Sequence, residues 1–418
     1  MFNLLSLLFI LNLKKIKEIS PKSKFRFKAI VLSKSGGVED LIYSQRKYNQ
    51  NILYVNCSRK FFSNIYATIF NSYQKKSKYI SKKKIKDFKK EYLNFLIFFL
   101  KILKKKYAFQ IFIGFNFNYH AERDLHEACQ KLRIPFLLLY KESVLTELEK
   151  KYLVYTAKKS GEKFNGYKIA VYSNSARKSL IDSQIVKKDK IEVVGCSRLG
   201  ISYSFKKVLP KNQILYYAIQ DDRGLPNRFI KKFGKEYFKN FKLNKLYNAN
   251  CSWRNLHIKT LKILKRFAVE NPKISIIIKI KNGEKNNKIE YSNLPKNIKI
   301  HKSGVGHNLL KRSKVIIAWN TTSILEGIAA NRFILMPYFF KKNENLKKTD
   351  ELIFKLKNKN YGHSENDFYK KLYFFIKKKY KKNEVYNNQN SLEYYLGNLD
   401  NNAGMRLNKF LQSNLSYK

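Results

Sequence analysis

Short apolar runs alternate with longer amphipathic stretches along most of the chain. The runs are rich in isoleucine and valine and mostly lack polar alternation, which is typical of parallel strands buried on both faces. The predicted strands of the first half are Phe27–Leu32, Ile52–Val55, Phe109–Gly114, Phe136–Leu139, Ile169–Tyr172 and Ile191–Val194. Those of the second half are Ile214–Ile219, Ile274–Lys279, Ile298–His301, Val315–Ala318 and Phe333–Met336.

Helical stretches separate many of these strands. The predicted helices include Gly37–Lys47, His120–Leu132, Leu256–Glu270 and Ser323–Ala330. This alternation predicts α/β architecture, and 418 residues are too many for one ordinary core. We therefore expect two Rossmann-like lobes facing each other across a cleft. Lysines and Pro210 interrupt the pattern near Ser202–Asn212, so the lobes are predicted to span 1–205 and 206–376.

The charge of the chain is strongly positive, with 86 basic residues against 30 acidic ones and a net charge of +56. Such an excess suits a polyanionic partner. However, the lysines are spread along the whole chain, whereas a nucleic-acid-binding protein clusters its charge in a recognisable module. Abundant Lys, Asn and Ile with few Gly and Pro favour compositional drift instead. We expect no nucleic acid partner, while attraction to anionic membranes remains open.

Cysteine usage and hydropathy indicate a cytoplasmic protein. The four cysteines contain no CxxC pair, which argues against a zinc site or a disulfide framework. The apolar segment Met1–Leu13 lacks the features of a signal peptide and is too short to span a bilayer. It is either an interfacial anchor or a covering helix. Tyr92–Leu103 has the length of a buried or interfacial helix. Peripheral contact with the inner face of the membrane is therefore an option.

The most informative segment is Lys314–Phe340, where a buried strand leads into a polar turn and a helix. The turn is Asn320-Thr321-Thr322-Ser323, and Glu326 follows three residues after Ser323. Small hydroxyl side chains at a helix start can cap it, and a Ser–Glu pair at this spacing can form a capping box. The free N–H groups of the same turn also suit a phosphate. Both interpretations are open from the residues alone.

This segment resembles the donor site of GT-B glycosyltransferases. Asn320–Ser323, Glu326 and Ala330-Asn331-Arg332-Phe333 follow the order of that family's motifs, although Phe333 stands where many members have proline. The resemblance extends to bacterial capsule and surface-carbohydrate transferases, including the CDP-glycerol glycerophosphotransferases. It implies a nucleotide-activated donor as substrate, with no cofactor. No DxD signature is convincing, so we expect no metal.

Donor contacts in three further segments are implied by the resemblance. Ile276–Glu284 is similar to a strand end that carries basic residues in the family, which places Lys279 and Lys281 near the leaving phosphate; the His-Pro pair of many relatives is absent. His307 follows a strand in the region that contacts the nucleotide. Gly195-Cys196-Ser197-Arg198 is similar to another strand end, where Arg198 either contacts a phosphate or forms a structural ion pair.

Candidate acceptor-side residues follow strands of the first lobe. Ser33, Gly36 and Gly37 belong to a strand-to-helix loop whose glycines allow close backbone approach to a ligand. An inverting transferase needs a general base, for which Glu142 and His120 are the candidates, with Glu122 third. Glu142 could equally pair with Lys141 or Arg123 in a structural network.

The end of the chain resembles the C-terminal tail of the same group. Gly397, Asp400, Ala403 and Arg406 match its spacing and are expected to be structural residues. The resemblance implies that 377–418, a basic loop followed by this tail, crosses back to the first lobe.

The function expected from these residues is transfer of a sugar from a nucleotide-activated donor to a surface-polysaccharide acceptor, as in capsule or lipopolysaccharide synthesis. The alternatives are a polyol-phosphate transferase of the CDP-glycerol type, a nucleotide-sugar 2-epimerase-like enzyme and a non-enzymatic nucleic-acid-binding protein.

Overall fold

A computed structural model provides the structure of the chain. It describes residues 2–16, 26–33, 37–48, 52–74, 82–117, 120–141, 144, 147–161, 163–219, 253–280, 291–302, 306–319, 321–339, 356, 360–380 and 389–415. Among these, the strands are β1 (Lys14–Lys15), β2 (Phe27–Ser33), β3 (Ile52–Ser58), β4 (Ile111–Gly114), β5 (Phe136–Tyr140), β6 (Lys168–Val171), β7 (Ile191–Val193), β8 (Gln213–Tyr217), β9 (Ser275–Lys279), β10 (Ile298–His301), β11 (Val315–Ile317), β12 (Phe333–Pro337) and β13 (Tyr361–Gly362).

Helices connect most of these strands. They are α1 (Phe2–Leu11), α2 (Gly37–Tyr48), α3 (Arg59–Gln74), α4 (Lys82–Tyr107), α5 (His120–Lys131), α6 (Glu147–Ser160), α7 (Asn174–Asp182), α8 (Leu199–Ser204), α9 (Trp253–Glu270), α10 (His307–Arg312), α11 (Ser323–Ala329), α12 (Glu365–Lys377), α13 (Gln389–Leu396) and α14 (Ala403–Leu415). The chain forms two compact units. Unit 1 contains Met1–Leu145, Glu149–Gly200 and Glu393–Lys418, and unit 2 contains Thr146–Leu148 and Ile201–Leu392.

The sheet of unit 1 has seven strands in the order β1-β3-β2-β4-β5-β6-β7. All neighbouring pairs are parallel except β1 and β3. The central strands β4 and β5 are buried along their whole length. Because a parallel strand covered by helices on both sides meets no water, it selects the continuous apolar runs seen in the sequence.

Two buried apolar clusters cover the opposite faces of this sheet. One contains α3, α4 and α5 side chains such as Phe62, Phe99 and Leu125. The other contains Leu41 of α2 together with Leu407 and Phe410 of α14. Helix α14 packs against α2, where the Ser44 hydroxyl donates to the carbonyl of Gly404 at 2.7 Å. The C-terminal helix is therefore part of the core of unit 1.

The segment that leads into α14 lies against the ends of β6 and β7. The Cys196 N–H donates to the Leu396 carbonyl at 2.9 Å, and Arg406 Nε donates to the Val194 carbonyl at 3.1 Å. Arg406 also holds both carboxylate oxygens of Asp400, at 2.6 and 3.0 Å. The tail residues singled out in the sequence thus make structural contacts with the segment that follows β7.

The sheet of unit 2 has six parallel strands in the order β10-β9-β8-β11-β12-β13. Helix α12 packs against it and starts at the N-cap Ser364, whose side chain accepts a hydrogen bond from the Asp367 N–H. Such a cap satisfies one of the otherwise unpaired N–H groups at a helix start. Phe368, Leu372 and Phe375 of α12 are buried.

Arg332 is a fully buried cation in unit 2. Its guanidinium donates to the carbonyls of Leu310 and Lys311 near the end of α10, and to those of Phe205 and Val208. Its Nη1 also donates to the Tyr380 hydroxyl at 2.8 Å. Burial lowers the pKa of Arg332, and Tyr380 opposes this shift. The carbonyls and the hydroxyl accept hydrogen bonds from the buried guanidinium, which reduces the cost of burying it. Arg332 therefore ties α10 to the segment that precedes β8.

All eleven predicted strands are present, with ends shifted by at most three residues. The predicted helices are also confirmed, while the apolar run Tyr92–Leu103 is the middle of the longer helix α4. The sequence analysis missed β1 and β13, which have two residues each and are too short for a recognisable pattern. Among the described residues, no helix is long and apolar enough to cross a membrane. Cys57, Cys129 and Cys196 are buried free thiols.

Gly397 provides a test of how closely the tail is packed. Its φ is +80°, and an added Cβ would lie 2.1 Å from the Tyr172 carbonyl oxygen. Since both strain and a backbone clash result, we expect Gly397→Ala to lower the free energy of unfolding by about 3 kcal/mol or more. Urea denaturation measures this loss.

Gly161 is the matched control for Gly397→Ala. It has a similar φ of +62°, but an added Cβ would have nothing within 4 Å. Gly161→Ala therefore reports the backbone strain alone, about 1 kcal/mol. Equal losses for the two variants would show that Gly397 does not mark a tight contact.

Candidate functional site

The strand order of unit 2 identifies where a ligand site is expected. Numbered along the chain from β8, the sheet has the order 3-2-1-4-5-6, which is that of dinucleotide-binding α/β domains. The strand order reverses between β8 and β11. In open α/β sheets, ligands bind beyond the carboxyl ends of the strands at this switch point.

The last residues of three neighbouring strands line up at this edge. Lys279 at the end of β9 is in register with Tyr217 of β8 on one side and with His301 of β10 on the other. Partners in register point to the same face of a parallel sheet. A phenol, an ammonium and an imidazole therefore lie side by side next to the switch point.

Tyr217 lies close to the start of α10 and to the first turn of α11. An added Cβ at Gly306 would come within 2.9 Å of the Tyr217 hydroxyl, so the start of α10 lies against the ring. Burial raises the pKa of Tyr217, and the carboxylate of Glu326 raises it further, while the side chain of Ser323 opposes the shift. Tyr217 is therefore a neutral hydroxyl at neutral pH, close to the first turn of α11.

The turn before α11 does not form the capping box that was one of its two open interpretations. The N-cap of α11 is Thr322, which makes no side-chain capping bond. The Ser323 N–H instead donates to Thr321 Oγ1 at 3.4 Å. Ser323 already belongs to the helix, and Glu326 lies one position beyond the reciprocal N3 site, so the two residues do not have the positions of a capping box.

Lys279 and His307 differ in their surroundings. Lys279 Nζ donates to the neighbouring Ile280 carbonyl at 3.2 Å, and desolvation lowers the pKa of its ammonium. His307 is buried as the first residue of α10, which follows β10. The structure thus places Lys279, His307, Thr321, Thr322, Ser323 and Glu326 at the carboxyl edge of one sheet. Lys281 and Asn320 lie outside the described residues.

Unit 1 has its own switch point between β2 and β4. Ser33 ends β2, and its hydroxyl donates to the Cys57 carbonyl at 3.4 Å. Gly37 opens α2, where an added Cβ would come within 2.1 Å of the Phe115 ring, directly after β4. A side chain larger than that of glycine would displace this ring, so packing alone explains Gly37. Gly36 lies outside the described residues.

The structure describes the three candidate bases only in part. Glu142 lies outside the described residues. His120 is the first residue of α5 and follows β4, but only its backbone is described. Glu122, the third candidate, is buried and forms an ion pair with Arg59 at the start of α3. This partner was not foreseen, because no local spacing relates Arg59 to Glu122.

Arg198 belongs to a buried network in unit 1. Its backbone N–H donates to Asp40 Oδ1 at 2.8 Å and its Nη1 donates to Asp40 Oδ2 at 3.0 Å. The Tyr172 hydroxyl donates to Asp40 Oδ2 at 2.5 Å and accepts from Arg198 Nη1 at 2.6 Å. Burial raises the pKa of Tyr172, so its proton stays in this network. These contacts are those of the structural ion pair that was one interpretation of Arg198. A contact between Arg198 and a phosphate remains a hypothesis.

Tyr217, Asp40 and Arg59 are the residues that sequence reasoning missed. Tyr217 ends a predicted strand, and the preference for ligands at strand ends could have drawn attention to it. Asp40 carries no local signal, because its partners are more than 130 residues away along the chain. Among the described residues, no group of three or more His, Cys, Asp or Glu side chains could hold a metal ion.

Comparisons with known proteins bear on the fold. No family model and no curated protein sequence matches the chain. A solved structure of a putative UDP-N-acetylglucosamine 2-epimerase from Listeria monocytogenes aligns with a TM-score of 0.50 at 9% identity, over 93% of this chain and 97% of the other. This likeness confirms the predicted fold class of two Rossmann-like α/β domains of the GT-B type.

Two further solved structures align over similar lengths. The UDP-GlcNAc 2-epimerase from Methanocaldococcus jannaschii has a TM-score of 0.49 and 13% identity, over 93% of this chain and 99% of the other. CalG4, the calicheamicin glycosyltransferase, has a TM-score of 0.42 and 11% identity, over 94% and 99%.

The Asp40–Arg198 pair can be tested by removing one charge. Asp40→Asn keeps the shape of the side chain but leaves the Arg198 guanidinium buried without its carboxylate. We expect unfolding free energy to fall by about 3 kcal/mol or more, as for other buried pairs broken on one side. Chemical denaturation of the full chain measures this fall in unfolding free energy.

Asp182→Asn is the matched control for Asp40→Asn. Asp182 pairs with Lys178 at 2.8 Å, but both side chains are exposed. Exposed pairs contribute about 1 kcal/mol or less. If Asp40→Asn is no more costly than Asp182→Asn, the buried network does not stabilise unit 1.

Proposed function

We propose that this chain is an enzyme that binds a nucleotide-activated sugar at the carboxyl edge of the unit 2 sheet and transfers the sugar to an acceptor. The observation that carries the proposal is the row formed by Tyr217, Lys279 and His301 beside the Thr321–Ser323 turn. These residues flank the switch point of a sheet whose strand order is that of dinucleotide-binding domains.

The chemistry of this edge suits a nucleotide diphosphate. Lys279 supplies a positive charge for the leaving phosphate, and burial strengthens its attraction to an anion. The hydroxyls of Thr321, Thr322 and Ser323 and the N–H groups of Thr321 and Thr322 would supply hydrogen-bond donors. Lys281 and Asn320 would extend the same set. Basic side chains then balance the charge of the leaving group, so the proposal includes no metal or cofactor.

The acceptor hydroxyl would be deprotonated from unit 1. His120 opens the helix that follows β4, a strand that borders the switch point of this unit. His120 and Glu142 are the proposed bases. Glu122 is a weaker candidate, because its buried carboxylate is already paired with Arg59. Ser33, Gly36 and Gly37 would border the acceptor.

The nature of the acceptor rests on the motif resemblance. Ala330–Phe333 and the tail from Gly397 to Arg406 are similar to those of bacterial surface-carbohydrate transferases. We therefore propose a capsule, lipopolysaccharide or related glycan as acceptor. Transfer of a polyol phosphate from a CDP-linked donor is the variant implied by the CDP-glycerol relatives.

A second candidate function is epimerisation of a nucleotide sugar. It is supported by the likeness to the solved structure of the putative UDP-N-acetylglucosamine 2-epimerase from Listeria monocytogenes. Such an enzyme would use the same donor edge, but it would convert the nucleotide sugar without any acceptor. Incubation of the purified chain with donor alone separates the two functions, because only an epimerase yields an isomeric nucleotide sugar.

Donor binding tests the proposed site directly. A panel of UDP-, CMP-, CDP- and GDP-linked sugars is first screened for a rise in melting temperature, since a ligand that binds only the folded state stabilises it. The binding constant of the active donor is then measured by calorimetry. We expect Thr322→Ala/Ser323→Ala to weaken binding about tenfold or more, through loss of hydrogen bonds to a charged group.

The control for this variant removes the same two hydroxyl types elsewhere. Ser63 and Thr68 lie on the exposed side of α3 in unit 1. Ser63→Ala/Thr68→Ala is expected to bind the donor like the unmodified chain. The donor-site assignment fails if Thr322→Ala/Ser323→Ala binds as tightly as this control.

A further inference from the structure

Helix α1 exposes three leucines on one face. Leu7, Leu8 and Leu11 are 43%, 50% and 61% exposed, and their spacing of one and four positions places them together on the helix surface. We call these three residues the leucine face. Isolated exposed leucines are ordinary, but three on a single helix form an apolar patch that is costly to leave in water.

The other side of α1 is firmly packed on unit 1. Ser6 and Ile10 are buried, and the Phe9 ring stacks on Phe61 with 3.9 Å between the ring centroids. The Tyr107 hydroxyl at the end of α4 donates to the Ile10 carbonyl at 3.0 Å. Helix α1 is therefore a covering helix, and its packing presents the leucine face on a fixed support.

Exposed lysines lie near the end of α1. Lys14 and Lys15 follow α1 after two residues and are exposed on the edge strand β1. Lys104, Lys105 and Lys106 are exposed in the last turn of α4, next to Tyr107, whose hydroxyl bonds to Ile10 of α1. Neither 2–16 nor 101–107 contains an acidic residue. These two segments therefore contribute only positive charge at this end of α1.

We propose that the leucine face and its five lysines dock on an anionic lipid bilayer. An apolar helix face bordered by basic residues is the arrangement that lies in the membrane interface, with leucines among the acyl chains and ammonium groups at the phosphates. A second copy of the chain is a poorer occupant, because it would bring two sets of lysines together. Nucleic acid would attract the lysines but gain nothing from the leucines. The proposal does not depend on the proposed function.

Vesicle flotation with the full chain tests the proposal. The vesicles contain either phosphatidylcholine alone or equal parts of phosphatidylcholine and phosphatidylglycerol, and binding is measured at low and high salt. We expect binding to the anionic vesicles only, part of which survives high salt. Leu7→Ser/Leu8→Ser/Leu11→Ser keeps every charge, yet should lower the partition coefficient about tenfold or more and abolish the salt-resistant part.

Matched controls separate the face from the general charge of the chain. Leu209→Ser/Val269→Ser removes two exposed apolar side chains in unit 2 and is expected to change nothing. Lys104→Gln/Lys105→Gln/Lys106→Gln should weaken binding about tenfold or more. The same change at the exposed residues Lys187, Lys188 and Lys262 should weaken it far less. Far-ultraviolet circular dichroism verifies that each variant is folded.

Two results would overturn the proposal. One is equal vesicle binding by the leucine variant and the Leu209→Ser/Val269→Ser control, which would mean that net charge alone attracts the chain. The other is self-association in light scattering that the leucine variant abolishes, without vesicle binding by the unmodified chain, which would make the leucine face a contact between copies. Neither result would affect donor binding, which is measured without lipid.

Discussion

The Asp40 carboxylate is the interaction on which the arrangement of unit 1 most depends. It accepts hydrogen bonds from the Arg198 backbone and guanidinium and from the Tyr172 hydroxyl. Asp40 lies in the first turn of α2, Tyr172 directly after β6 and Arg198 in the segment after β7, so one buried carboxylate joins three segments at the same edge of the sheet. The tail docks against the same region through Leu396 and Arg406. Since a buried charge without its partner is costly, each connection stabilises the position of the others.

Much of the fold could be predicted from the sequence, because parallel strands buried on both faces leave an unmistakable pattern. Runs such as Ile276–Lys279 and Val315–Ala318 have few other structural interpretations. Chain order also predicts that their polar ends meet at one edge, and most of the candidate residues of unit 2 lie at this edge. The pattern carries no information about pairs such as Arg59 with Glu122 or Arg198 with Asp40. Each of those pairs brings together distant parts of the chain, and only the folded sheet determines the distance between them.

The candidate site was proposed from a turn with two open interpretations, a helix cap and a phosphate site. Thr322 occupies the N-cap of α11 without a side-chain bond, while Thr321 Oγ1 accepts the Ser323 N–H. The Thr322 hydroxyl is therefore not used for capping. Tyr217 was missed because a tyrosine at a strand end is ordinary in a chain with 29 tyrosines. Its significance comes from the strand order, which places β8 at the switch point.

Scarcity of acidic residues shapes how this chain stabilises its buried cations. With 86 basic and 30 acidic residues, carboxylates are too few to pair with every lysine and arginine. Arg332 is therefore held by backbone carbonyls, and Lys314 Nζ likewise donates to the Ile376 carbonyl at 2.6 Å. Carbonyls near a helix end carry partial negative charge, so they can replace a carboxylate without adding an ionised group to the core. Lysines on the surface need no such partner, because water solvates them. The five exposed lysines near the end of α1 differ from other surface lysines in one respect, because they lie near a helix that also exposes three leucines.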